Sequence, residues 1–219
     1  MADDDLRVAV ITGNHSFDVP GFHRLFRALP GVDAYIQDLE NWVADAGKVR
    51  ERYDVALFYN MHTTTPDAAQ GRAAARTRAA LEWLGETAQG IVILHHAVLA
   101  FPDWPLWSEI CGITDRALAS YHHGERLWIE IANPDHPITC GLAPWEIVDE
   151  TYVMHDADEG NDVLLTVNHP QSARTIGWTR SYRQARVFCC LLGHDDEAYS
   201  NPQFRTVLQR GIQWVARRR

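Results

Sequence analysis

Cysteine is scarce and unpatterned in this chain. Only Cys111, Cys140, Cys189 and Cys190 occur among 219 residues, without CxxC spacing. The adjacent pair sits in an apolar run, where extended backbone sends neighbouring side chains to opposite faces. A disulfide framework is therefore not expected; the thiols read as reduced and mostly buried, and none is flanked by the glycines of an activated elbow. Long hydrophobic runs are missing too, and nothing approaches the roughly 20 apolar residues that cross a bilayer. The opening MADDDLRVAVIT carries three aspartates where a secretory leader needs basic residues and a longer apolar stretch. A cytoplasmic protein with no membrane partner is the expectation. Positive charge is in the minority, 20 Lys and Arg against 29 Asp and Glu, a formal net charge of −9. That field repels phosphate backbones, so nucleic acid is not an expected partner. The closing Arg217-Arg218-Arg219 reads as a solvated helix end that complements the helix dipole. GxGxxG and GxxxxGK[ST] are both absent, so no nucleotide cofactor is expected; HxxxH, HExxH and the common zinc spacings are absent as well. No repeat, linker or low-complexity segment divides the chain, which reads as one domain over residues 1–219.

What the sequence does have is histidine in particular places. Of eleven, His15 follows VAVIT, His62 follows DVALFY, His95 and His96 follow GIVIL, and His194 follows RVFCCLLG. In an open parallel α/β sheet, ligands bind outside the carboxyl ends of the strands, so these imidazoles are expected to converge on one pocket. Imidazole moves protons near neutral pH and is the commonest metal ligand.

The apolar pattern supports that architecture. Leu6 to Thr12 reads as a buried parallel strand, and Gly21 to Leu29 as a helix with Phe22, Leu25, Phe26 and Leu29 on one face. Asp33–Asp38, Asp54–Tyr59 and GIVIL from Gly90 read as strands, with a long helix predicted over about Asp67 to Thr87 and a short one over Trp104–Ile110. From about Ala117 to Val153 turn signals at Asn133-Pro134, His136-Pro137 and Gly141 break the pattern, suggesting an irregular antiparallel excursion or lid. Val163–Val167 and Arg186–Leu192 read as strands again. Pro202 to Ala216 closes as a helix with Phe204, Val207, Leu208, Ile212 and Val215 facing inward.

Four phrases together resemble the family named after the trehalose-utilisation protein ThuA: LHHAVLAFPDWPLWSEICG (94–112), NPDHPITCGL (133–142), DETYVMH (149–155) and RVFCCLLGHDDEAYSNPQFRTVLQRGIQWVA (186–216). The resemblance implies a fold similar to class I glutamine amidotransferases: a flavodoxin-like, doubly wound, mostly parallel sheet with helices on both faces. It does not carry over their chemistry, because where such an enzyme has its nucleophilic cysteine this chain has His95-His96-Ala97. His194 falls where that fold carries its catalytic histidine. His96, Glu150 and Tyr152 match the family motifs, whereas many members carry a single histidine where His95 and His96 stand.

Weighing these readings gives a candidate list. His194, Glu150 and His96 are the expected catalytic groups: His194 has Asp195 beside it to hold a tautomer, Glu150 is a partner acid, and His96 is the member of the His95-His96 pair expected to face the pocket. A capping loop for His194-Asp195 and a backbone-binding role for Glu150 remain open alternatives. Asn14, His15, His62, Thr63, Tyr152 and Asp195 are expected to line the pocket, with Trp104 and Trp107 as sugar-stacking platforms. His96, His194 and His123 could hold a divalent metal, Zn or Mn, although His123 reads equally as a turn residue. The function so implied is a ThuA-like role in carbohydrate catabolism, acting on trehalose, another disaccharide or a keto-sugar by acid/base or metal-assisted isomerisation or elimination. The alternative is a non-catalytic module that binds a sugar or a partner enzyme. The expected ligand is a small carbohydrate, and a homo-oligomer remains open.

Overall fold

The computed structural model describes residues 5–218, so Met1–Asp4 and Arg219, the ends of the acidic opening and basic close, lie outside the described residues. Nine strands form one sheet: β1 (Leu6–Gly13), β2 (Val32–Asp38), β3 (Val55–Asn60), β4 (Gly90–Leu94), β5 (Ser120–Ile131), β6 (Trp145–Val153), β7 (Asp162–Val167), β8 (Thr175–Tyr182) and β9 (Ala185–Cys190). Their spatial order is β2-β1-β3-β4-β9-β8-β7-β5-β6. The first five are joined by parallel pairings, and the rest by antiparallel ones. This is a mixed α/β sheet, parallel at one end and antiparallel at the other. The parallel half has the 2-1-3-4-5 order that places a crevice at the carboxyl ends of its inner strands.

The inner parallel strands are buried along their whole length, which is why β3 and β4 are continuous apolar runs. Around the sheet lie α1 (Val19–Arg27), α2 (Leu39–Ala44), α3 (Arg72–Glu82), α4 (Pro105–Cys111), α5 (Asp196–Ser200) and α6 (Pro202–Val215). In α6 the expected stripe is buried, joined by Gly211, and Asn201 caps the helix by accepting from the amides of Gln203 and Phe204.

Two expectations are corrected. The long helix starts only at Arg72, because Asp67 caps a separate 3-10 turn over Ala68–Gln70 and Gly71 adopts a φ of 111° between them. The stretch after Ala117 is antiparallel, as expected, but more regular than its turn signals suggest and part of the main sheet. Strands β5 and β6 form a long hairpin, bulged between His122 and Glu125, that continues the same sheet through β7, β8 and β9. All of it is inserted between β4 and its parallel neighbour β9. Among the described residues no helix is long and apolar enough to cross a membrane.

Candidate functional site

At the carboxyl ends of β1, β4 and β9 lies a cleft of about 590 Å³, closed on its far side by β5 and β6. His15, His96, His123, Glu150, Tyr152, His194 and Asp195 line it, among Phe17, Met61, Leu99, Leu118 and Tyr121. The antiparallel extension thus supplies the buried acid and the phenol of the cleft, beside the more exposed Asp18 and Asp195 of the parallel strand ends.

The centre of the site is the Glu150 carboxylate, buried on β6 and ringed by three imidazoles. Its Oε2 lies 2.8 Å from His123 Nδ1 and 3.2 Å from His194 Nδ1, and its Oε1 lies 3.7 Å from His95 Nε2. Proton positions follow from the partners. His95 is fully buried, and burial followed by the charge of His96 holds its pKa well below the ordinary range, so the ring is neutral. Its Nδ1 is 2.7 Å from the Leu191 carbonyl and must carry the proton; its Nε2 is then bare and accepts from the Tyr152 hydroxyl at 2.8 Å. His194 Nδ1 faces two acceptors, Glu150 Oε2 and, at 3.3 Å, that bare Nε2, so it carries a proton as well. Burial lowers the His194 pKa against the opposing pull of Glu150. Neutral His194 therefore keeps Nε2 unprotonated, a base whose other nitrogen rests on a carboxylate.

The short loop carrying His194 is fixed through all four backbone groups of Gly193 and His194. Asp149 accepts both amides, at 2.7 and 3.0 Å, while Tyr59 donates to the Gly193 carbonyl at 2.9 Å and Tyr199 to the His194 carbonyl at 3.0 Å. Gly193 has a φ of +113°, and a Cβ there would lie 2.9 Å from the Phe204 ring. Asp149 also accepts from the Glu150 amide at 2.8 Å, so one side chain ties the acid and the base together. Burial outweighs these N–H donors and raises the Asp149 carboxyl to about 7. The sequence gives Asp149, Tyr59 and Tyr199 no role of their own, because their partners come from distant segments.

His96 forms a second feature. Its Nε2 donates to the Tyr59 carbonyl at 3.1 Å, its ring stacks on His15 at 4.1 Å, and burial, followed by the charge of His15, lowers its pKa to about 3. The remaining Nδ1 is a buried acceptor with no hydrogen-bond partner among the described residues, and the same holds for His15 Nδ1.

Several expected placements change. His95, expected to face packing, is a member of the central cluster. Strand alternation does not apply to it, because β4 ends at Leu94 and His95, with a φ of 54°, turns the chain into a 3-10 segment, His95–Leu99. Among the described residues the donor atoms that lie within 4.8 Å of one another belong to His95, Glu150 and His194, so His95 replaces His96 in any metal set, and His123 instead pairs with Glu150. Asp195 lines the cleft, but its carboxylate caps α5 through the amides of Glu197 and Ala198, and the tautomer of His194 is set by Glu150. Trp104 and Trp107 are not platforms. Both are buried, and Trp107 donates to the Ala97 carbonyl and packs edge-on against Phe58 and Phe101. Asn14 and Thr63 are exposed and outside the cleft; His62 stacks on Phe101 and lines a different hollow beside α2 and α3.

Comparison with known proteins decides the family. The family model described as ThuA, trehalose utilisation, matches residues 20–215. The chain belongs to the ThuA family. A ThuA-like protein from Parabacteroides merdae has a similar structure, at 22% identity and a TM-score of 0.71, with 97% of this chain and 90% of that one covered. A protein from Thermoplasma acidophilum, described as one of the subunits of a GMP synthase, superposes at 12% identity and a TM-score of 0.60 over 97% of this chain and 95% of that one. A beta-galactosidase from Bacillus circulans superposes at 13% identity and a TM-score of 0.60, over 95% of this chain but 31% of its own. These likenesses show the fold, an amidotransferase-like one. None of the curated proteins matches in sequence. No cysteine of this ThuA-family chain lines the cleft, and burial holds the thiols of Cys111 and Cys190 up at about 12 and Cys189 well above its ordinary value.

Proposed function

We propose that this ThuA-family protein binds an oxidised sugar derivative in the histidine cleft and transfers a proton at the carbon beside its carbonyl. The observation that carries this reading is the pairing of His194 with Glu150: a neutral imidazole facing the cleft, backed by a buried carboxylate that stabilises the imidazolium formed when Nε2 takes a proton. The abstracted C–H pair becomes an enolate. Returning the proton to the former carbonyl carbon, with a second proton passing from the adjacent hydroxyl oxygen to the former carbonyl oxygen, isomerises the sugar; expelling a group from the next carbon with the enolate's electron pair completes an elimination. Tyr152 and His123 line the same wall, their own protons engaged by His95 Nε2 and Glu150. The unpartnered Nδ1 of His96 suits a sugar hydroxyl, which can donate to it.

A metal-assisted reading rests on a specific geometry. One ligand atom each from His95, Glu150 and His194 lies within 4.8 Å of the others, with His95 Nε2 and His194 Nδ1 3.3 Å apart, a looser set than the edges of about 3.3 Å in a tetrahedron of ligands around Zn. Against it, each of these groups already has a proton partner: Tyr152 serves His95 Nε2, and His123 and His194 serve Glu150. The metal-free pair is therefore the primary reading. The test is exchange of the carbon-bound proton of keto-glucose or keto-trehalose in D2O, followed by proton NMR, with wild type, His194→Ala and metal-stripped protein. Exchange that survives chelation and is lost in His194→Ala supports the proton-transfer pair. Loss on chelation with recovery on adding Zn or Mn selects the metal reading; binding without exchange leaves the carbohydrate-binding module.

A further inference from the structure

A second cleft, of about 700 Å³, lies at the opposite end of β9 from the histidines. Pro137, Cys140, Arg186, Arg210, Gln213, Trp214, Arg217 and Arg218 line it. Four of the eight are arginines and none is acidic, in a chain whose net charge is −9. The Arg217-Arg218 part of the basic close thus forms one wall of a concavity and is more than a solvated helix end.

The guanidinium groups of Arg186, Arg210 and Arg217 are held in place by neutral partners, which leave the charge of these three uncancelled. Arg186 lies over the Trp214 ring, 4.8 Å from its centroid, and donates to the Trp214 carbonyl at 3.1 Å. Arg210 donates to the carbonyls of Ile138 and Cys140, at 3.3 and 2.8 Å, and Arg217 donates to that of Gln184 at 2.5 Å. Among the described residues no ion pair includes Arg186, Arg210 or Arg217. A guanidinium has five N–H donors, and each carbonyl takes only one, so forked donors remain for an oxyanion. Asp162, which acts on the neighbouring His136, is not in the lining. Holding several like charges around one hollow raises the free energy of the empty site, and a multiply charged anion relieves it.

We propose that this cleft is a binding site for a small phosphate-bearing molecule, separate from the histidine cleft and independent of the reaction carried out there. Its volume exceeds what one phosphate fills, and the half-exposed Trp214 offers an apolar face beside the arginines. The test is isothermal titration of the full chain with pyrophosphate at low ionic strength, for wild type, Arg210→Gln, Arg217→Gln and His194→Ala, with melting curves for each. Arg217 is exposed and makes one carbonyl contact, so its replacement leaves the fold intact even if that of Arg210 does not. The expected result is saturable binding that weakens about tenfold in each arginine variant, is unchanged in His194→Ala and falls with added salt. No saturable binding, or equal binding by wild type and Arg217→Gln, overturns the proposal. Binding of a poly-glutamate peptide without binding of pyrophosphate also overturns it, in favour of an acidic protein partner.

Discussion

Replacing Asp149 by Asn should change the way stability depends on pH. The carboxyl is fully buried and raised from 3.8 to about 7, because loss of hydration outweighs three backbone N–H donors. Below pH 3.8 the folded and unfolded chains both hold the proton. Between there and about 7 the unfolded chain releases it while the folded chain retains it, so stability declines as pH rises and the contribution is gone above the folded value. At 1.36 kcal/mol per tenfold change, a carboxyl moved this far carries about 4 kcal/mol. An amide cannot titrate. The stability of wild type minus that of Asp149→Asn should therefore shrink by about 4 kcal/mol between about pH 4 and pH 8, while the titration of the histidines, common to both proteins, cancels. Urea unfolding followed by tryptophan fluorescence at several pH values measures this directly. A difference that stays flat, or that grows with pH, refutes the reasoning: it would mean that the three N–H donors win over burial and that Asp149 is ionised throughout.

Three further outcomes follow from the geometry. Glu150→Gln keeps the shape but removes the charge behind His194, and should lower the rate of proton exchange in a keto-sugar by about 10²-fold to 10⁴-fold with little change in melting temperature; an undiminished rate removes Glu150 from the mechanism. Gly211→Ala puts a Cβ 2.3 Å from the Phe188 ring, between α6 and β9, and should cost about 1–3 kcal/mol in urea unfolding without altering the cleft. A thiol reagent at neutral pH should label one cysteine per native chain, the exposed Cys140, since Cys111, Cys189 and Cys190 are buried and held protonated; rapid labelling of a second would contradict that burial.

The parallel half of the fold was legible because strands buried on both faces are mostly apolar: β4 is so throughout, and β1, β3 and β9 are but for Arg7 and Thr12, Asn60, and Arg186 near their ends. Strands β5 and β6 are legible only as an antiparallel excursion, because Gly124, with a φ of +67° where the bulge lies, and the turn residues between the strands interrupt the alternation of apolar and charged residues. Strand β8, with Gly177 and Arg180 in its middle, has no continuous apolar signature. In the site, His194 and Glu150 stood out by position and motif, but their mutual contact depends on how the antiparallel strands fold over, which no local spacing encodes. His95 was assigned to packing on the assumption of unbroken strand alternation, which its left-handed backbone ends. Trp104 and Trp107 show the opposite error: large aromatics near a strand end were read as ligand surface, and the core took them.

The acid of the site stands on β6, the last strand in the sheet. An outermost strand ordinarily leaves a row of free amides and carbonyls on which another chain can template. Here Asp149 accepts the Glu150 amide, Asn201 donates to the Glu146 carbonyl and the Ala173 amide to that of Tyr152, so part of the backbone beside the site is already capped. Local opening that releases this strand would disarm the protein and uncover a sticky margin at once.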